Sequence, residues 1–262
     1  MVSPTLPVFG ARRWLAGAGA AVRDLLLPPR CVACDGDFQP PAVAAAARPL
    51  LLCETCRREI PTFTGAVCAR CLAPVPVAAG VELPCGWCRQ WQPKFARALA
   101  AGPYEGLLRL LLLRNKVDTG GVLARTLIDL VWERCGESLA ALNVDVVAAP
   151  PMSWRRRWQR GVCAQAELAR AAARRLGVPA APGMLRLRRE VAPQLGMSRA
   201  GRLRNLHGEM QLARGYRLDA AHVLVVDDIL TTGATCSEAA RVLLKSGARE
   251  VSALVVARTP PG

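Results

Sequence analysis

The chain has 262 residues, 52% of them apolar, and this length suffices for one full α/β core plus a smaller appended module. No stretch reaches the roughly 18 uncharged apolar residues of a membrane span, so a chain that crosses a membrane on an α-helix is excluded. The net charge of +15 is carried almost wholly by arginine, which fits either a GC-rich genome that favours arginine codons or a polyanionic partner such as pyrophosphate, nucleotide or nucleic acid.

Residues 1–30 precede the first cysteine and are predicted to form a lead-in helix, over 11–27, and a linker. Arg12 and Arg13 stand ahead of small residues, as in a twin-arginine export signal. However, Arg23 and Asp24 interrupt the apolar segment too early for such a signal, and no clean cleavage pattern follows. A cytoplasmic location is therefore expected.

Residues 31–92 contain four C-x-x-C pairs, which hold eight of the eleven cysteines. Two thiolates three positions apart on a tight turn reach the same metal ion, and two such pairs complete a tetrahedron around Zn²⁺. Within each proposed couple the pairs are separated by 18 residues (35–52) or 13 residues (72–84), as in zinc ribbons. We therefore predict a double zinc-ribbon-like domain with two structural Zn²⁺ ions, whose ligands are Cys31, Cys34, Cys53, Cys56, Cys68, Cys71, Cys85 and Cys88.

Two other interpretations of the cysteine pairs are less favoured. Disulfides are uncommon in the cytosol, and thioredoxin-like redox pairs occur singly beside a βαβ unit.

Consecutive pairs are expected to share an ion, although interleaved pairing stays open. The local charge is mixed, so a structural or docking role is at least as well supported as base recognition. The other cysteines, Cys135, Cys163 and Cys236, are expected to be small core residues.

Residues 93–262 change to short apolar runs that alternate with segments of helical periodicity. Strands are predicted at 95–104, 144–151, 183–189, 222–228 and 250–258, and helices at 105–116, 120–135, 163–177 and 234–247. An arginine-rich segment, 190–210, has no clear period over its first half. The alternation predicts an α/β fold with a doubly wound, mostly parallel sheet, in which ligands bind beyond the carboxyl ends of the strands.

Two adjacent acids, Asp227 and Asp228, end the predicted strand 222–228. Gly233 in the following turn permits backbone angles that let amides converge on an anion, and the next helix begins with unpaired N–H groups. The turn also carries the hydroxyl donors Thr231, Thr232 and Thr235. Thr235 and Glu238 have the spacing of a capping box. A phosphate held beside two carboxylates that accept hydrogen bonds from vicinal hydroxyls describes a site for a ribose 5-phosphate.

The same residues have other interpretations. Paired acids at a strand end also bind Mg²⁺ in phosphoryl-transfer sites, and a glycine after a strand is often only a tight turn. The complete order, an apolar strand, then D-D-x-x-T-T-G-x-T, then a helix, is more restrictive than either feature. The segment has neither the G-x-x-x-x-G-K-[ST] pattern of a P-loop nor the repeated glycines of a dinucleotide fingerprint.

The segment VLVVDDILTTGAT resembles the motif with which type I phosphoribosyltransferases bind 5-phosphoribosyl 1-pyrophosphate (PRPP). Together with the cysteine module and the patterns PP-x(8)-RG and Q-x(7)-R-x-x-N, it makes the chain similar to the ComF/GntX family of competence-associated, phosphoribosyltransferase-like proteins. The resemblance extends from LLLPPRCVAC to LVVARTP. It implies a type I phosphoribosyltransferase-like fold for residues 93–262, after the zinc-binding domain of residues 31–92.

The resemblance also implies a role for each matching residue. Asp227 and Asp228, the catalytic positions, would hold the ribose 2′- and 3′-hydroxyls. The other PRPP-binding positions, in the phosphate cradle, the pyrophosphate loop and the R-G pair, are Thr231, Thr232, Gly233, Ala234, Thr235, Pro150, Pro151, Arg160 and Gly161. A mobile loop that closes over the site would contain Gln194, Arg202 and Asn205. The chain departs from the family near the pyrophosphate and acceptor region, where RGVCAQ replaces R-G-F-N-Q and APP replaces P-V-P.

The implied reaction is displacement of pyrophosphate at ribose C1 through a transition state that resembles an oxocarbenium ion. Mg²⁺ and arginines would stabilise the leaving group; the candidates are Arg155, Arg156, Arg157, Arg160, Arg199 and Arg202. No clear general base emerges, because His207 is a weak candidate and the position of His222 at a strand start favours a structural role. Phosphoribosyl transfer depends mainly on positioning and electrostatics, so a base is not essential.

Three hypotheses of function follow. The protein is a glycosyltransferase that moves a pentosyl group from PRPP to a nitrogenous acceptor, a PRPP or nucleotide sensor without turnover, or a factor that handles imported single-stranded DNA. The association of the family with competence suggests the third hypothesis, and the basic charge fits it. The first and the third are compatible with each other.

Overall fold

The computed structural model describes residues 30–38, 50–78, 81–82, 85–118, 120–152, 163–188 and 208–259. The predicted lead-in helix at 11–27 lies outside these residues. The chain divides into two units, Met1–Arg57 and Arg58–Gly262. No helix in the described ranges has both the length and the apolar character that a bilayer crossing requires.

In the first unit, two cysteine pairs are presented by a tight turn and by the start of a helix. The Cys31 amide donates to the Gly36 carbonyl (2.9 Å), and the Asp35 amide donates to the Cys31 carbonyl (2.8 Å). Asp35 takes up the left-handed backbone that this turn needs, at φ 59°. The second pair flanks the beginning of helix α1, Glu54–Glu59.

The second unit begins with another cysteine-bearing turn. The Leu72 amide donates to the Cys68 carbonyl and the Cys68 amide to the Ala73 carbonyl, both at 2.8 Å. Strands β1, Val77–Ala78, and β2, Val81–Glu82, then pair antiparallel. Helix α2, Gly86–Trp91, follows and carries the last cysteine of the module.

The main sheet of the second unit has five parallel strands in the order β3-β9-β8-β4-β5. These strands are β3, Ala98–Pro103, β4, Val146–Ala148, β5, Ala180–Ala181, β8, His222–Leu230, and β9, Glu250–Arg258. The helices between them are α3, Gly106–Asn115, α4, Val122–Ala140, α5, Ala164–Leu176, and α6, Ala234–Lys245. A separate antiparallel pair is formed by β6, Leu185–Leu187, and β7, Met210–Leu212.

The two longest strands of the sheet, β8 and β9, are buried on both faces, and their sequences are therefore almost continuous apolar runs. On one face, Cys236, Ala239 and Ala240 of α6 belong to the same core cluster as Val223 and Val225 of β8. The alternate strand residues Leu224, Val226 and Leu254 are also fully buried, so the opposite face is covered as well. The core therefore holds β8 rigidly up to the acidic residues near its carboxyl end.

The predicted α/β fold with a parallel sheet and an N-terminal cysteine-rich region is confirmed. Two details differ from the expectation. The strand predicted at 183–189 pairs antiparallel with 210–212 outside the main sheet, whereas Ala180–Ala181 occupies the sheet edge. A strand of two residues is too short to show the alternation of apolar and polar residues that identifies a strand, so the sequence contains no indication of this edge strand.

Candidate functional site

Asp227 and Asp228 lie near the carboxyl end of β8, which continues past them to Leu230. Only 7% of Asp227 is exposed, while the side chain of Asp228 is 14% exposed. The Asp228 amide donates to Asp227 Oδ1 (2.9 Å), and the Ile229 amide donates to Asp228 Oδ1 (2.8 Å). Each carboxylate is thus oriented by a main-chain amide and keeps further acceptor capacity for a ligand.

The two carboxyl groups differ in their surroundings. Burial first, and then the charge of Asp228, raise the pKa of Asp227 well above its ordinary range, and a hydrogen bond from Gln165 on α5 partly opposes this rise. Lys116, just beyond α3, places its Nζ 3.9 Å from Asp228 Oδ2. Sequence reasoning assigned no role to Gln165 or Lys116, because each reaches the acids only through the fold.

The turn after the acids, residues 231–235, is the segment for which a phosphate cradle is predicted. Gly233 has φ 75° and is the N-cap of α6, which has no side-chain cap. The Ala234 amide donates to Thr232 Oγ1 (3.2 Å), and the Ser237 amide makes the first helical bond to the Gly233 carbonyl (2.9 Å). Helix geometry leaves the next amides, those of Thr235 and Cys236, without an intrahelical acceptor, so they are suited to an anion.

The predicted capping box of Thr235 and Glu238 is wrong. Glu238 is buried and accepts a hydrogen bond from the Gly208 amide (2.9 Å). Its carboxylate also pairs with the Arg241 guanidinium at 2.6 and 2.7 Å. The distant Gly208 amide and Arg241, one turn further along α6, therefore occupy the carboxylate that the spacing assigned to the cap.

The other predicted site residues are only partly described. Pro150 and Pro151 follow β4, whose pairing with β8 brings them to the same edge of the sheet as the acids. Arg160, Gly161, Gln194, Arg202 and Asn205 lie outside the described residues, as do the further arginine candidates and His207. The ring of His222 is at the opposite end of β8, where Nδ1 lies 2.8 Å from the Leu142 carbonyl and Nε2 lies 2.9 Å from Ser252 Oγ.

The eight predicted metal ligands form two clusters, and in each cluster all four Sγ atoms lie within 4.8 Å of one another. Consecutive pairs combine, as expected: Cys31, Cys34, Cys53 and Cys56 form the first cluster, and Cys68, Cys71, Cys85 and Cys88 form the second. Sγ–Sγ distances of 3.9, 3.8 and 3.6 Å occur across the pairs. A tetrahedron with Zn–S bonds of about 2.3 Å has edges of about 3.8 Å, so both clusters fit Zn²⁺.

The remaining cysteines have different surroundings. Cys236 is buried, in agreement with the prediction of a core role, and burial together with the charges of Asp227 and Asp228 raises the pKa of its thiol. Cys135 and Cys163 are only half-buried. Their thiols lie 3.3 Å from the Ala100 carbonyl and 3.7 Å from Gln165 Oε1, respectively.

Comparison with known proteins places these features in context. The double zinc ribbon domain family matches residues 22–89. The DNA utilization protein YhgH of Salmonella typhimurium is 29% identical over 211 residues, which are 79% of this chain and 90% of that protein. Competence protein F of Haemophilus influenzae is 27% identical over 233 residues, which are 87% of this chain and 96% of that protein.

Solved structures give partial matches. Adenine phosphoribosyltransferase from Thermoanaerobacter pseudethanolicus has 19% identity and a TM-score of 0.32, and the match covers 55% of this chain and 67% of that one. Phosphoribosylpyrophosphate synthetase from Mycobacterium smegmatis has the same identity and TM-score, and the match covers 50% of this chain and 33% of that one.

The chain is therefore an α/β protein that carries a double zinc ribbon domain. More particularly, it is similar over most of its length to competence protein F and to the YhgH DNA utilization proteins. The resemblance to the ComF/GntX family that the sequence motifs indicated is thereby confirmed.

Proposed function

We propose that the protein binds PRPP and transfers its ribose 5-phosphate to a nitrogenous acceptor, in the setting of DNA utilization that the names of its relatives indicate. The observation that carries this proposal is the direct succession of two oriented carboxylates and an uncapped helix N-terminus. Asp227 and Asp228 offer acceptors for a diol, and the turn around Gly233 offers amide donors for a phosphate a few residues away.

The two acids would act on the ribose by accepting hydrogen bonds from its 2′- and 3′-hydroxyls. In the free protein the pKa of Asp227 is raised, because burial and then the neighbouring charge of Asp228 disfavour its ionised form. A bound diol would donate to both carboxylates and so favour their charged forms, while Lys116 offsets the charge of Asp228. Binding of the sugar and loss of the Asp227 proton would therefore be linked.

The transfer itself breaks the bond between C1 and the pyrophosphate oxygen and forms a bond between C1 and the acceptor nitrogen. The pyrophosphate leaves with the electron pair, and the acceptor loses its proton to solvent. Mg²⁺ bound with PRPP would neutralise the leaving group. The negative charges of Asp227 and Asp228 next to the ribose would stabilise the positive charge that develops at C1.

Calorimetric titration with PRPP and Mg²⁺ tests the site. The wild type is expected to bind, and Asp227→Asn/Asp228→Asn is expected to give no binding heat. Asp219→Asn is the matched control, because its carboxylate lies on the surface beside Arg217. Equal binding by the double variant, or no binding by the wild type, would contradict the proposal.

Turnover requires a separate measurement. Pyrophosphate release is followed with a panel of purine, pyrimidine and simple amine acceptors, and the double variant serves as the blank. Release with any acceptor supports the transferase. Binding without release from any acceptor would instead make the protein a PRPP sensor.

Single-stranded DNA binding is a second candidate function, which is favoured by the net charge of +15 and by the names of the relatives. Binding through phosphates predicts an affinity that falls steeply with salt. It should persist in Asp227→Asn/Asp228→Asn, since the acids repel a polyanion. Absence of DNA binding at low salt would remove this candidate and leave the first unaffected.

A further inference from the structure

The last residue of β9, Arg258, joins the second cysteine cluster to the phosphate cradle. Only 2% of Arg258 is exposed. Its Nε donates to the carbonyl of Cys71 at 2.9 Å. Its Nη1 donates to the carbonyls of Leu230, at 2.8 Å, and Thr231, at 2.5 Å, and also to that of Thr259. One rigid guanidinium therefore fixes a cluster cysteine, the end of β8 and the first cradle residue relative to one another.

A second connection is made by Trp91, the last residue of α2. This helix begins directly after Cys85 and contains Cys88. A methyl group built on Gly233 would lie 2.6 Å from Trp91 Cη2 and 2.9 Å from Cζ3, so the indole lies directly against the cradle. On its other side the indole meets the buried ring of Phe95 edge-on, with 6.4 Å between centroids.

Two main-chain contacts add to these connections. The Lys94 amide donates to Ser237 Oγ (3.0 Å) in the first turn of α6. The Ala98 amide, at the start of β3, donates to the Ala69 carbonyl (3.3 Å) within the second cluster's first pair. The ribbon is thus attached to the sheet, and the segment directly after it is attached to the helix that follows the cradle.

From these contacts we propose that metal binding by the second cluster sets the affinity of the cradle for a phosphorylated ribose, with Arg258 and Trp91 as positioning residues. A ribbon of this size is ordered mainly by its metal. Without the ion, the Cys71 carbonyl and the Trp91 indole no longer hold the cradle in the conformation that an anion requires. This inference rests on the proposed binding of PRPP.

Thermodynamic linkage gives the inference a direct test, because PRPP must then hold the second metal ion more tightly. Cys34→Ser removes a ligand from the first cluster and leaves the second as the remaining zinc site. Cys88→Ser does the reverse and is the matched control. The zinc dissociation constant is measured by equilibrium competition with a chromogenic chelator, with and without PRPP and Mg²⁺.

PRPP is expected to lower the zinc dissociation constant of Cys34→Ser by about 5-fold or more, the low end of typical coupling, and to leave that of Cys88→Ser unchanged. Equal effects on both variants, or no effect on Cys34→Ser, would overturn the coupling while calorimetry on the wild type still supports PRPP binding. If Cys88→Ser does not fold, the effect of PRPP on zinc binding by Cys34→Ser alone tests the coupling. Absence of PRPP binding by the wild type would end both proposals.

The role of Trp91 is tested by its fluorescence and by a conservative rescue. Trp91→Ala should weaken PRPP binding while the protein retains two zinc ions, and Trp91→Phe should restore most of the affinity because a ring again covers Gly233. PRPP is expected to change the tryptophan emission of the wild type, and Trp91→Phe should lose that change. Wild-type affinity in Trp91→Ala would show that the indole does not position the cradle.

Discussion

Substitution of Gly233 by alanine would report on the contact between the ribbon and the cradle. The residue has φ 75°, a left-handed conformation that side chains other than glycine avoid. The added Cβ would also lie 2.6 Å from Trp91 Cη2, which is too close for a real contact. The substitution therefore has a backbone cost and a steric cost, and the two can be separated.

The expected magnitudes differ enough to be measured. A left-handed backbone costs alanine about 1–2 kcal/mol, and overpacking of this kind costs about 1–3 kcal/mol. Gly233→Ala should therefore lower the free energy of unfolding by about 2–5 kcal/mol. Gly177→Ala is the control, because Gly177 has φ 71° and nothing lies within 4 Å of its added Cβ. It should show the backbone cost alone.

A double-mutant cycle with Trp91→Ala isolates the steric cost. In that background Gly233→Ala should cost only about 1–2 kcal/mol, as at Gly177. Unfolding in urea at saturating zinc, followed by circular dichroism, gives the four free energies. The same cost for Gly233→Ala in both backgrounds would refute the contact.

Three other variants test the acids, their cation and the structural histidine. Folding raises the pKa of Asp227 above its ordinary value of 3.8. The protonated carboxyl group therefore contributes to stability below pH 3.8, and this contribution is lost as the pH rises through the folded-state pKa. Asp227→Asn should therefore unfold at higher urea than wild type at pH 7, with the difference vanishing toward pH 3.8; lower stability at pH 7 would contradict this. Lys116→Gln should change stability by under about 1 kcal/mol, yet weaken PRPP binding in calorimetry, because Asp228 loses its cation; Lys245→Gln, at the far end of α6, should not weaken it. His222→Phe should cost about 1–3 kcal/mol in urea unfolding, because it leaves the buried Ser252 hydroxyl without this partner. PRPP affinity should stay unchanged, and weaker binding would place the ring in the site.

The features that the sequence predicted correctly are contiguous ones. The spacing of a C-x-x-C pair alone places both thiols on one turn. The fold then only has to bring consecutive pairs together. The strand end and the helix start that flank the proposed cradle were equally local, because the acids, the glycine with φ 75° and the first residues of α6 all lie within residues 227–235. The long central strands were recognisable because burial on both faces leaves an unbroken apolar run.

The features that the sequence missed depend on distant partners. Arg258 looks like one of 35 basic residues at the end of a strand, and only the fold turns its guanidinium onto carbonyls near residues 71 and 230. Lys116 likewise carries no local sign that it meets Asp228. The failed capping box has the same origin in part, because Glu238 fits a local rule but accepts a hydrogen bond from the distant Gly208 amide.

The division of the chain gives a reason for the coupling between ribbon and cradle. The boundary between the two units falls after Arg57, so the second cluster shares a unit with the sheet. The cradle needs amides held in place before an anion arrives, yet its turn contains only small residues and no capping side chain. Contacts from outside the turn therefore matter, and among the described residues they include the Trp91 indole and the Arg258 guanidinium. Both are fixed by segments that carry cluster cysteines, so the free energy of metal binding would serve to preorganise the anion site as well as to fold the ribbon.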